Sequence, residues 1–411
     1  MYIKLAWRNI WRNKRRTLIT MVSIFFAVFL SILMLSMQNG SYDNMIKNTI
    51  GSFMGYAQVH QKGYWKEQNI DNTFEMDTAL VQKIKQEKEI NEVVPRLESF
   101  ALLSGKEKSK AGAVVAIDPA KEKAISDPEK KLIKGKYFTS KDERAVIVSE
   151  GLAKYLKVQV GDSLVLIGQG FQGQSAVDKI LIKGIIKFPA PDINNGLVYI
   201  PLTTGQNLYA AENRLTSLAL VVNRPKKLDA LIPTLKAKVE KANTESEKYE
   251  LMSWKEMNPE LIQLIEVDGM GNYVIVGVLY MVVAFGIFGT ILMMTSERRH
   301  EFGVLIGIGM RRIKLGTVVI LEMLLLAFLG VVTGAVLSMP IVFYLNSNPP
   351  QLTGKMAETM LEMGFEPIIP FSTDPMIFLS QALVIFSITL LIALYPLWLT
   401  KRVNLIEALK S

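Results

Sequence analysis

Residues 273–295 read YVIVGVLYMVVAFGIFGTILMMT and carry no charge. A helix needs about 20 apolar residues to cross a hydrocarbon core about 30 Å thick. Three further runs meet this requirement, at residues 17–37, 317–344 and 376–399. The first run is longer than the apolar part of a signal peptide, and no small-residue cleavage site follows it, so we interpret it as an uncleaved anchor. The sequence therefore predicts four transmembrane helices.

The distribution of basic residues predicts the orientation of these helices, because Lys and Arg accumulate on the cytoplasmic side. Segments 1–16, 296–316 and 400–411 carry most of the basic residues that flank the runs: Lys4, Arg8, Arg12, Lys14, Arg15, Arg16, Arg298, Arg299, Arg311, Arg312, Lys314, Lys401, Arg402 and Lys410. These segments are predicted to be cytoplasmic, whereas 38–272 and 345–375 are predicted to be extracytoplasmic. Both termini then lie on the cytoplasmic side of the membrane.

The composition agrees with a protein partly embedded in a membrane and partly exposed to water. Of its 411 residues, 50% are hydrophobic, and the formal net charge is +9. The basic residues lie mainly beside the apolar runs, which indicates membrane topology signals, and we expect no nucleic-acid partner. The chain has no Cys and only two His, His60 and His300. We therefore expect no disulfide, no metal site and two solvated histidines.

Residues 38–272 are numerous enough to fold as a domain of their own. Segments of strand length and composition occur at 144–149, 163–167, 179–187, 196–201 and 217–223. Helical spacing occurs at 77–89, 150–156 and 228–244. The fold class is therefore an α+β membrane protein, with four transmembrane helices and a large extracytoplasmic domain between the first two. Gly269 and Gly271 precede the second run and indicate either a hinge or the start of a helix.

The sequence does not support either of two nucleotide-binding patterns. Gly168, Gly170 and Gly173 have the spacing G-x-G-x-x-G, but a strand pattern follows at 174–187 where a pyrophosphate site needs the start of a helix. A hairpin loop is predicted there instead. The chain has no G-x-x-x-x-G-K-[ST] loop for ATP. We identify no catalytic residue and no cofactor, and expect the chain not to be an enzyme.

Residues 1–16 predict an amphipathic helix in the membrane interface. Helical spacing places apolar residues on one face and basic residues on another: Ile3, Trp7, Ile10 and Trp11, against Lys4, Arg8, Arg12 and Arg15. The candidate interface residues are Trp7, Arg8, Trp11, Arg12, Arg15 and Arg16. A topology signal with Trp anchors and a direct contact with a partner are both compatible with this pattern.

Residues 296–310, SERRHEFGVLIGIGM, predict a short cytoplasmic helix between the second and third transmembrane helices. Apolar and small residues recur at positions i, i+3, i+4 and i+7, at Phe302, Leu305, Ile306 and Gly309. Gly307 and Gly309 would let a second surface approach closely. The helix either docks a soluble partner or lies on lipid.

The third run contains a carboxylate and a pair of spaced glycines. Glu322 lies inside the predicted helix, where an isolated charge costs about 2–3 kcal/mol. We expect snorkelling or a hydrogen bond to a neighbouring helix to compensate this charge, rather than a role in proton transfer. Gly330 and Gly334 form a G-x-x-x-G face that allows close helix packing within or between subunits.

Several stretches resemble the FtsX-like permeases of the macrolide-exporter (MacB) and lipoprotein-release type, also called type VII ABC transporters. They are WRNIWRNKRR at 7–16, EGLAKYLKVQVGDS at 150–163, ERRHEFGVLIGIGM at 297–310 and KRVNLIEAL at 401–409. The order of these stretches follows the family over nearly the whole chain. RLES at 96–99 and AIDPA at 116–120 are similar to lipoprotein-releasing permeases of the LolC/LolE type.

This resemblance implies a MacB-like periplasmic core domain and a mechanotransmission function powered by a separate cytoplasmic ABC ATPase dimer. The implied coupling residues are Glu297, Arg298, Arg299, Glu301, Phe302, Gly303, Leu305, Gly309, Met310, Arg311 and Arg312. The lipoprotein-release branch implies that acylated proteins leave the inner membrane for a periplasmic carrier. A second permease chain is expected, in a homo- or heterodimer, because four helices seldom enclose a path or match two ATPases.

Two other functions remain open from the sequence. The first is export of a peptide, drug or other amphipathic molecule, with an adaptor and an outer-membrane duct. The second is a transmembrane receptor or scaffold that regulates a cell-wall hydrolase. The proteins encoded by neighbouring genes would distinguish export from lipoprotein release, and an ATPase-dependent hydrolase phenotype would support the receptor or scaffold.

Overall fold

The computed structural model describes residues 2–12, 14–244, 248–362 and 366–402. Its α-helices are α1 (Tyr2–Arg12), α2 (Lys14–Ile46), α3 (Tyr64–Glu67), α4 (Thr78–Lys85), α5 (Pro119–Glu122), α6 (Glu150–Leu156), α7 (Pro191–Asn194), α8 (Leu202–Leu208), α9 (Leu228–Glu240), α10 (Trp254–Met257), α11 (Pro259–Glu297), α12 (Arg299–Gly307), α13 (Arg312–Ser347), α14 (Lys355–Glu362) and α15 (Pro375–Arg402). A π-helical stretch, Lys47–Met54, continues α2.

The β-strands lie between α2 and α11. They are β1 (Ala57–Gln61), β2 (Phe74–Glu75), β3 (Ile90–Ser104), β4 (Ser109–Ile117), β5 (Leu132–Gly135), β6 (Val146–Ser149), β7 (Ser163–Gln169), β8 (Ser175–Ile186), β9 (Leu197–Pro201), β10 (Arg214–Leu215), β11 (Ser217–Val222) and β12 (Tyr249–Ser253). The chain divides into two compact units. We call Met1–Asp43, Leu264–Gln351 and Ile368–Ser411 the membrane unit, and Asn44–Gln263 with Leu352–Pro367 the outer unit.

Within the described residues, four helical segments are long and apolar enough to cross a membrane, as the sequence predicts. They are Thr17–Met54, Pro259–Glu297, Arg312–Ser347 and Pro375–Pro396. Each of the first three extends beyond its apolar run. Gly269 and Gly271 lie inside α11, which begins at Pro259, so the interpretation of these glycines as a helix start is wrong. Proline favours the first helical position because its fixed φ suits the helix and its missing N–H is not needed there.

The G-x-x-x-G face of α13 packs against α2 in the same chain. A Cβ atom at Gly330 would lie 2.8 Å from Cβ of Ile24, and one at Gly334 would lie 2.9 Å from Cβ of Val28. Side chains at these positions would push the two helices apart, because interiors have no room for extra atoms at such distances. The glycines therefore allow close packing within the chain.

The segment that precedes α15 forms hydrogen bonds with α2 through Ser372. The Ser36 hydroxyl donates to the Ser372 carbonyl at 2.6 Å, and the Ser372 N–H donates to the Ser36 carbonyl at 2.8 Å. A Cβ atom at Gly40 would lie 2.5 Å from the Pro370 carbonyl oxygen, so the close approach requires glycine. Within the outer unit, the Asn48 amide donates to the Glu366 carboxylate at 2.9 Å. Part of the 345–375 loop thus belongs to the outer unit.

Six strands of the outer unit form a closed barrel. The strands β3, β4, β9, β6, β8 and β7 pair in that order, and β7 pairs back to β3. Closure removes the free edges that an open sheet would expose. Buried side chains from all six strands fill the interior, including Leu103, Val114, Val148, Leu166, Ile180 and Val198.

The first half of β3 belongs to a second, antiparallel layer. It pairs with β11, which pairs with β1, which pairs with β12. Apolar residues of α4 and α9 share a buried cluster with these strands, including Leu80, Ile84, Leu235, Val239, Val59 and Leu218. The outer unit is therefore α+β, as the sequence predicts, and the long strand β3 joins its two halves.

The predicted segments of the outer domain coincide with observed elements. The five predicted strands fall on β6, β7, β8, β9 and β11, and the three predicted helices fall on α4, α6 and α9. The glycine-rich stretch at 168–173 connects β7 to β8 in an antiparallel hairpin. A helix does not follow it, so no helix N-terminus is present there to hold a pyrophosphate.

A buried ion pair lies beside the two segments that resemble lipoprotein-releasing permeases. Arg96, on β3, and Glu122, at the end of α5, are fully buried, and the Arg96 Nε donates to Glu122 at 3.0 Å. The guanidinium also lies 5.3 Å from the centre of the Phe53 ring. A buried guanidinium needs a partner of opposite charge, so this ion pair has a structural role. Residues 96–99 and 116–120 themselves meet as strand neighbours, where Arg96 pairs with Ile117 and Leu97 pairs with Ala116.

His60 is buried, so the expectation of a solvated side chain is wrong for this residue. Its side chain is 1% exposed, and its ring lies 5.4 Å from the rings of both Tyr64 and Trp65. The Nε2 atom lies 2.7 Å from the Gln58 side-chain oxygen. Burial lowers the pKa of His60 from 6.5 to about 3. His300 is exposed.

We predict that the outer unit loses stability as the pH falls from 7 to 5. Between pH 6.5 and about 3, His60 is neutral in the folded chain but protonated in the unfolded chain. The unfolded state binds the extra proton, so the free energy of unfolding decreases by at most about 1.4 kcal/mol per pH unit below 6.5. Denaturant unfolding of the full chain at pH 7 and 5 measures this slope. His60→Gln should flatten it and His300→Gln should not; equal slopes in both variants would contradict the prediction.

Candidate functional site

The segment between α11 and α13 forms a short helix, α12, with a well-defined C-terminal end. The Gly309 N–H donates to the Ile306 carbonyl and the Met310 N–H donates to the Leu305 carbonyl, both at 3.0 Å. This pair of bonds is a Schellman motif, which needs a residue with positive φ after the helix. Gly309 has a φ of +101°, so glycine is required there for backbone reasons.

One side of α12 packs into the membrane unit and the other side is exposed. Phe302 is 4% exposed and shares a buried cluster with Ile10, Leu315 and Val319. On the other side, three apolar residues are accessible: Val304 is 39% exposed, Leu305 36% and Ile308 80%. Positions 307 and 309 face open space. We call Val304, Leu305 and Ile308 the exposed apolar face of α12.

A buried polar network lies behind α12. Arg298 is 5% exposed and forms an ion pair with Glu322 of α13, which is 1% exposed. The Asn9 side chain of α1 donates to the other Glu322 oxygen at 2.6 Å, and Arg298 donates to the Asn9 carbonyl at 3.4 Å. The carboxylate therefore has both a counter-ion and an amide donor, from two different segments of the chain.

Two residues that were predicted from the sequence, Arg298 and Glu322, are buried in this network. Arg298 is among the predicted coupling residues, but its guanidinium is directed to Glu322 and is not exposed on the surface of α12. Glu322 bonds to neighbouring segments, as expected for a carboxylate inside an apolar helix. Asn9 was not identified from the sequence. A polar residue on the otherwise apolar side of an amphipathic helix was the available signal.

The N-terminal helix is also connected to α12 through charged side chains. Arg12 forms an ion pair with Glu301, and both side chains are about half exposed. The Thr17 hydroxyl donates to the Ile10 carbonyl at 2.6 Å, which holds the turn between α1 and α2. Ala6 and Ile10 are buried, whereas Trp7 and Trp11 are exposed and meet edge-on with ring centres 5.9 Å apart.

The remaining predicted residues occupy different surroundings. Glu297, Arg311 and Arg312 are exposed, Gly303 is buried, and Met310 is partly buried against the core of the membrane unit. Arg8 and Arg15 are exposed. The side chains of Arg16 and Arg299, and the tail motif at 403–409, lie outside the described residues.

A second candidate surface lies on the outside of the barrel. In one row across neighbouring strands, Leu102 of β3 pairs with Ile167 of β7, which pairs with Val177 of β8. These side chains are 44%, 43% and 58% exposed, and Phe100 on β3 is 58% exposed. Outward positions of a solvated barrel are usually polar. We call Phe100, Leu102, Ile167 and Val177 the apolar row.

The apolar row was not identified from the sequence. The segment FALLS at 100–104 is apolar at successive positions, whereas a strand with one solvated face alternates apolar and polar residues. Leu103 points into the barrel core, while Phe100 and Leu102 point outward. Contiguous exposed apolar side chains often mark interaction surfaces. The row is therefore a candidate binding surface of the outer unit.

Two protein-family models match the chain, one over its outer region and one over its C-terminal region. Residues 17–238 match the model of the MacB-like periplasmic core domain, and residues 273–405 match that of the FtsX-like permease C-terminal region. The chain belongs to the MacB/FtsX-type family of ABC transporter permeases. The permease is thus a membrane protein with a periplasmic core domain, in a family whose ATPase activity lies on a partner subunit.

Two solved structures illustrate the similarity of the outer region. The periplasmic region of MacB from Actinobacillus actinomycetemcomitans is 16% identical, with a TM-score of 0.36, and the match covers 54% of the permease and 95% of that chain. The extracellular domain of the ABC-type transporter YknZ from Gram-positive bacteria is 14% identical, with a TM-score of 0.34. That match covers 48% of the permease and 98% of the YknZ domain. Among curated proteins, none matches the permease.

We predict that Arg298 and Glu322 are energetically coupled. Arg298→Ala or Glu322→Ala leaves a buried charge without its partner, which typically costs about 3–5 kcal/mol. The double variant should lose much less than the sum of the two single losses. The Tm of the purified permease measures each effect. The exposed ion pair between Lys157 and Glu107 is the matched control. The same double-mutant cycle on this pair should give a coupling free energy near zero. Additive losses at Arg298 and Glu322 would contradict the prediction.

Proposed function

We propose that the permease couples ATP hydrolysis by a separate cytoplasmic ATPase to work in the periplasm, by mechanotransmission. The observation that carries this proposal is the exposed apolar face of α12, which is backed by a buried ion pair. Three apolar side chains are accessible on a helix whose other side is held by Phe302 and by Arg298 with Glu322. A partner that pushes on α12 would therefore displace α13 directly.

The charged residues around the exposed apolar face of α12 support a protein partner over a lipid surface. Small apolar clusters next to charged residues are typical of protein contacts, in which the apolar centre is surrounded by a polar rim. Around the exposed face, Glu297, Glu301, Arg311 and Arg312 provide such a rim with both charge signs. We assign ATPase contact to Leu305, Ile308 and this rim, and a structural role to Arg298. In this arrangement both termini are cytoplasmic.

We predict that Leu305→Glu with Ile308→Glu abolishes ATPase binding without unfolding the permease. The two carboxylates would have to be buried without counter-ions at the contact, which is unfavourable. Copurification of an ABC ATPase with the tagged permease measures the effect. Val267→Glu with Met270→Glu is the matched control, because these α11 residues are also apolar and exposed, at 61% and 66%.

The outcomes of this experiment are distinct. An ATPase that is recovered with the wild type and the control, and lost with the α12 variant, supports the proposal. An ATPase that is retained by the α12 variant would place the contact elsewhere. If no sample contains an ATPase, the coupling function is wrong, and a receptor or scaffold that regulates a cell-wall hydrolase becomes the better explanation.

We further propose that the work is the release of lipoproteins from the inner membrane, by a dimer of permease chains. The apolar row supports an acylated or otherwise amphipathic cargo, or the carrier that receives it, because it exposes four large apolar side chains on one barrel face. Exposed apolar area of this kind gains free energy when covered, by about 25 cal/mol per Å².

We predict that a photo-crosslinker at Ile167 or Val177 captures acylated proteins or a periplasmic carrier in cells. A crosslinker at Lys134, an exposed residue of β5, is the control. Mass spectrometry of the crosslinked species identifies the cargo. Capture of an adaptor protein would instead support export of a peptide or drug. Equal labelling from Lys134 and from the apolar row would show that the row has no specific role.

A further inference from the structure

The helix α1 presents three different faces. Successive residues of a helix are about 100° apart. Ala6, Asn9 and Ile10 point toward the core of the membrane unit, and all three are buried or half-buried. Trp7 and Trp11 lie on a second side and are 43% and 51% exposed. The third side is basic and carries Arg8 and Arg12, with Lys4 next to it.

The two Trp residues indicate what covers the second face. Large aromatic side chains that are half exposed on a helix are costly in water, but indole rings are favoured at the boundary between acyl chains and headgroups. A helix of eleven residues is marginal on its own and needs packing on its apolar surfaces. A lipid surface would supply the packing that the protein does not supply at Trp7 and Trp11.

The charge of the segment indicates the kind of lipid. Residues 1–16 contain six Lys and Arg residues and no Asp or Glu. Arg12 is paired with Glu301, whereas no carboxylate among the described residues pairs with Lys4, Arg8 or Arg15. Each basic residue near an anionic membrane contributes about fivefold to binding. Three such residues would therefore favour an anionic over a zwitterionic surface by about 100-fold.

We propose that anionic phospholipid headgroups bind Lys4, Arg8 and Arg15 of the N-terminal segment, and that this binding holds α12 in place. This inference rests on the cytoplasmic orientation of α1 that the proposed function includes. The connection to α12 runs through two other residues of α1, Arg12 and Asn9. Arg12 pairs with Glu301, and Asn9 contacts both Glu322 and Arg298. A lipid that fixes α1 thus also fixes the groups that position α12.

The lipid preference can be measured without the ATPase. The probes are dioctanoyl phosphatidylglycerol and dioctanoyl phosphatidylcholine, titrated into the detergent-purified full chain and followed by Trp fluorescence. The wild type should bind the glycerol lipid at least tenfold more tightly, with a preference that weakens in high salt. Lys4→Gln with Arg8→Gln and Arg15→Gln should lose this preference. A control with Gln at Lys66, Lys134 and Lys179, which are exposed in the outer unit, should retain it.

The link to α12 can be measured with one label, because the chain contains no Cys. A spin label at Ile308→Cys reports the mobility of α12 in nanodiscs. Phosphatidylglycerol should immobilise the label in the wild-type background, but not when Lys4, Arg8 and Arg15 are replaced by Gln. A label that is equally mobile with and without the anionic lipid would overturn the link, and equal affinity for both lipids would overturn the binding site.

These outcomes are separate from those of the ATPase experiment. If the wild type shows no preference for the anionic lipid, the lipid proposal fails, but the proposed contact between α12 and the ATPase is unaffected. Absence of an ATPase leaves the lipid measurement unaffected. If the α1 variant keeps its lipid preference but loses the copurifying ATPase, α1 contacts the ATPase and the lipid assignment is wrong.

Discussion

Glu322 lies within α13, among apolar side chains, where an unpaired carboxylate would cost about 2–3 kcal/mol. Arg298 supplies the opposite charge and Asn9 supplies an amide donor. Because each partner comes from a different segment, satisfying one carboxylate also fixes α1 and the start of α12 against α13. Together with the packing of Phe302, this network gives the exposed apolar face of α12 a defined position. The buried Glu322 carboxylate therefore organises the contacts that α1 and α12 make with α13.

The parts of the fold that the sequence predicts are those that depend on local patterns. Apolar runs of sufficient length identify the four membrane helices, and period-two or helical spacing identifies most elements of the outer unit. The need for a partner at Glu322 also follows from its local context. The identity of that partner does not, because Asn9 is 313 residues away along the chain. Which of several polar groups meets the carboxylate depends on how distant helices pack.

The barrel shows the same limit in the outer unit. Its strands are recognisable one by one, but its closure depends on the pairing of β7 with β3, whose partners are about 65 residues apart. Until closure is known, Phe100 and Leu102 cannot be distinguished from core residues, since Leu103 beside them is buried. His60 is a similar case. Its burial depends on the packing of Tyr64 and Trp65 against β1, which a lone histidine in the sequence does not indicate.

The two exposed apolar surfaces differ in a way that fits their proposed roles. The face of α12 comprises three side chains surrounded by charges, which suits a contact that forms and breaks during an ATPase cycle. Transient contacts are typically smaller and less apolar than permanent ones. The apolar row spans three paired strands of a closed barrel, so its shape is held by backbone hydrogen bonds. A rigid surface loses little conformational entropy when a flexible acyl chain or a carrier covers it, and this favours repeated capture of a variable cargo.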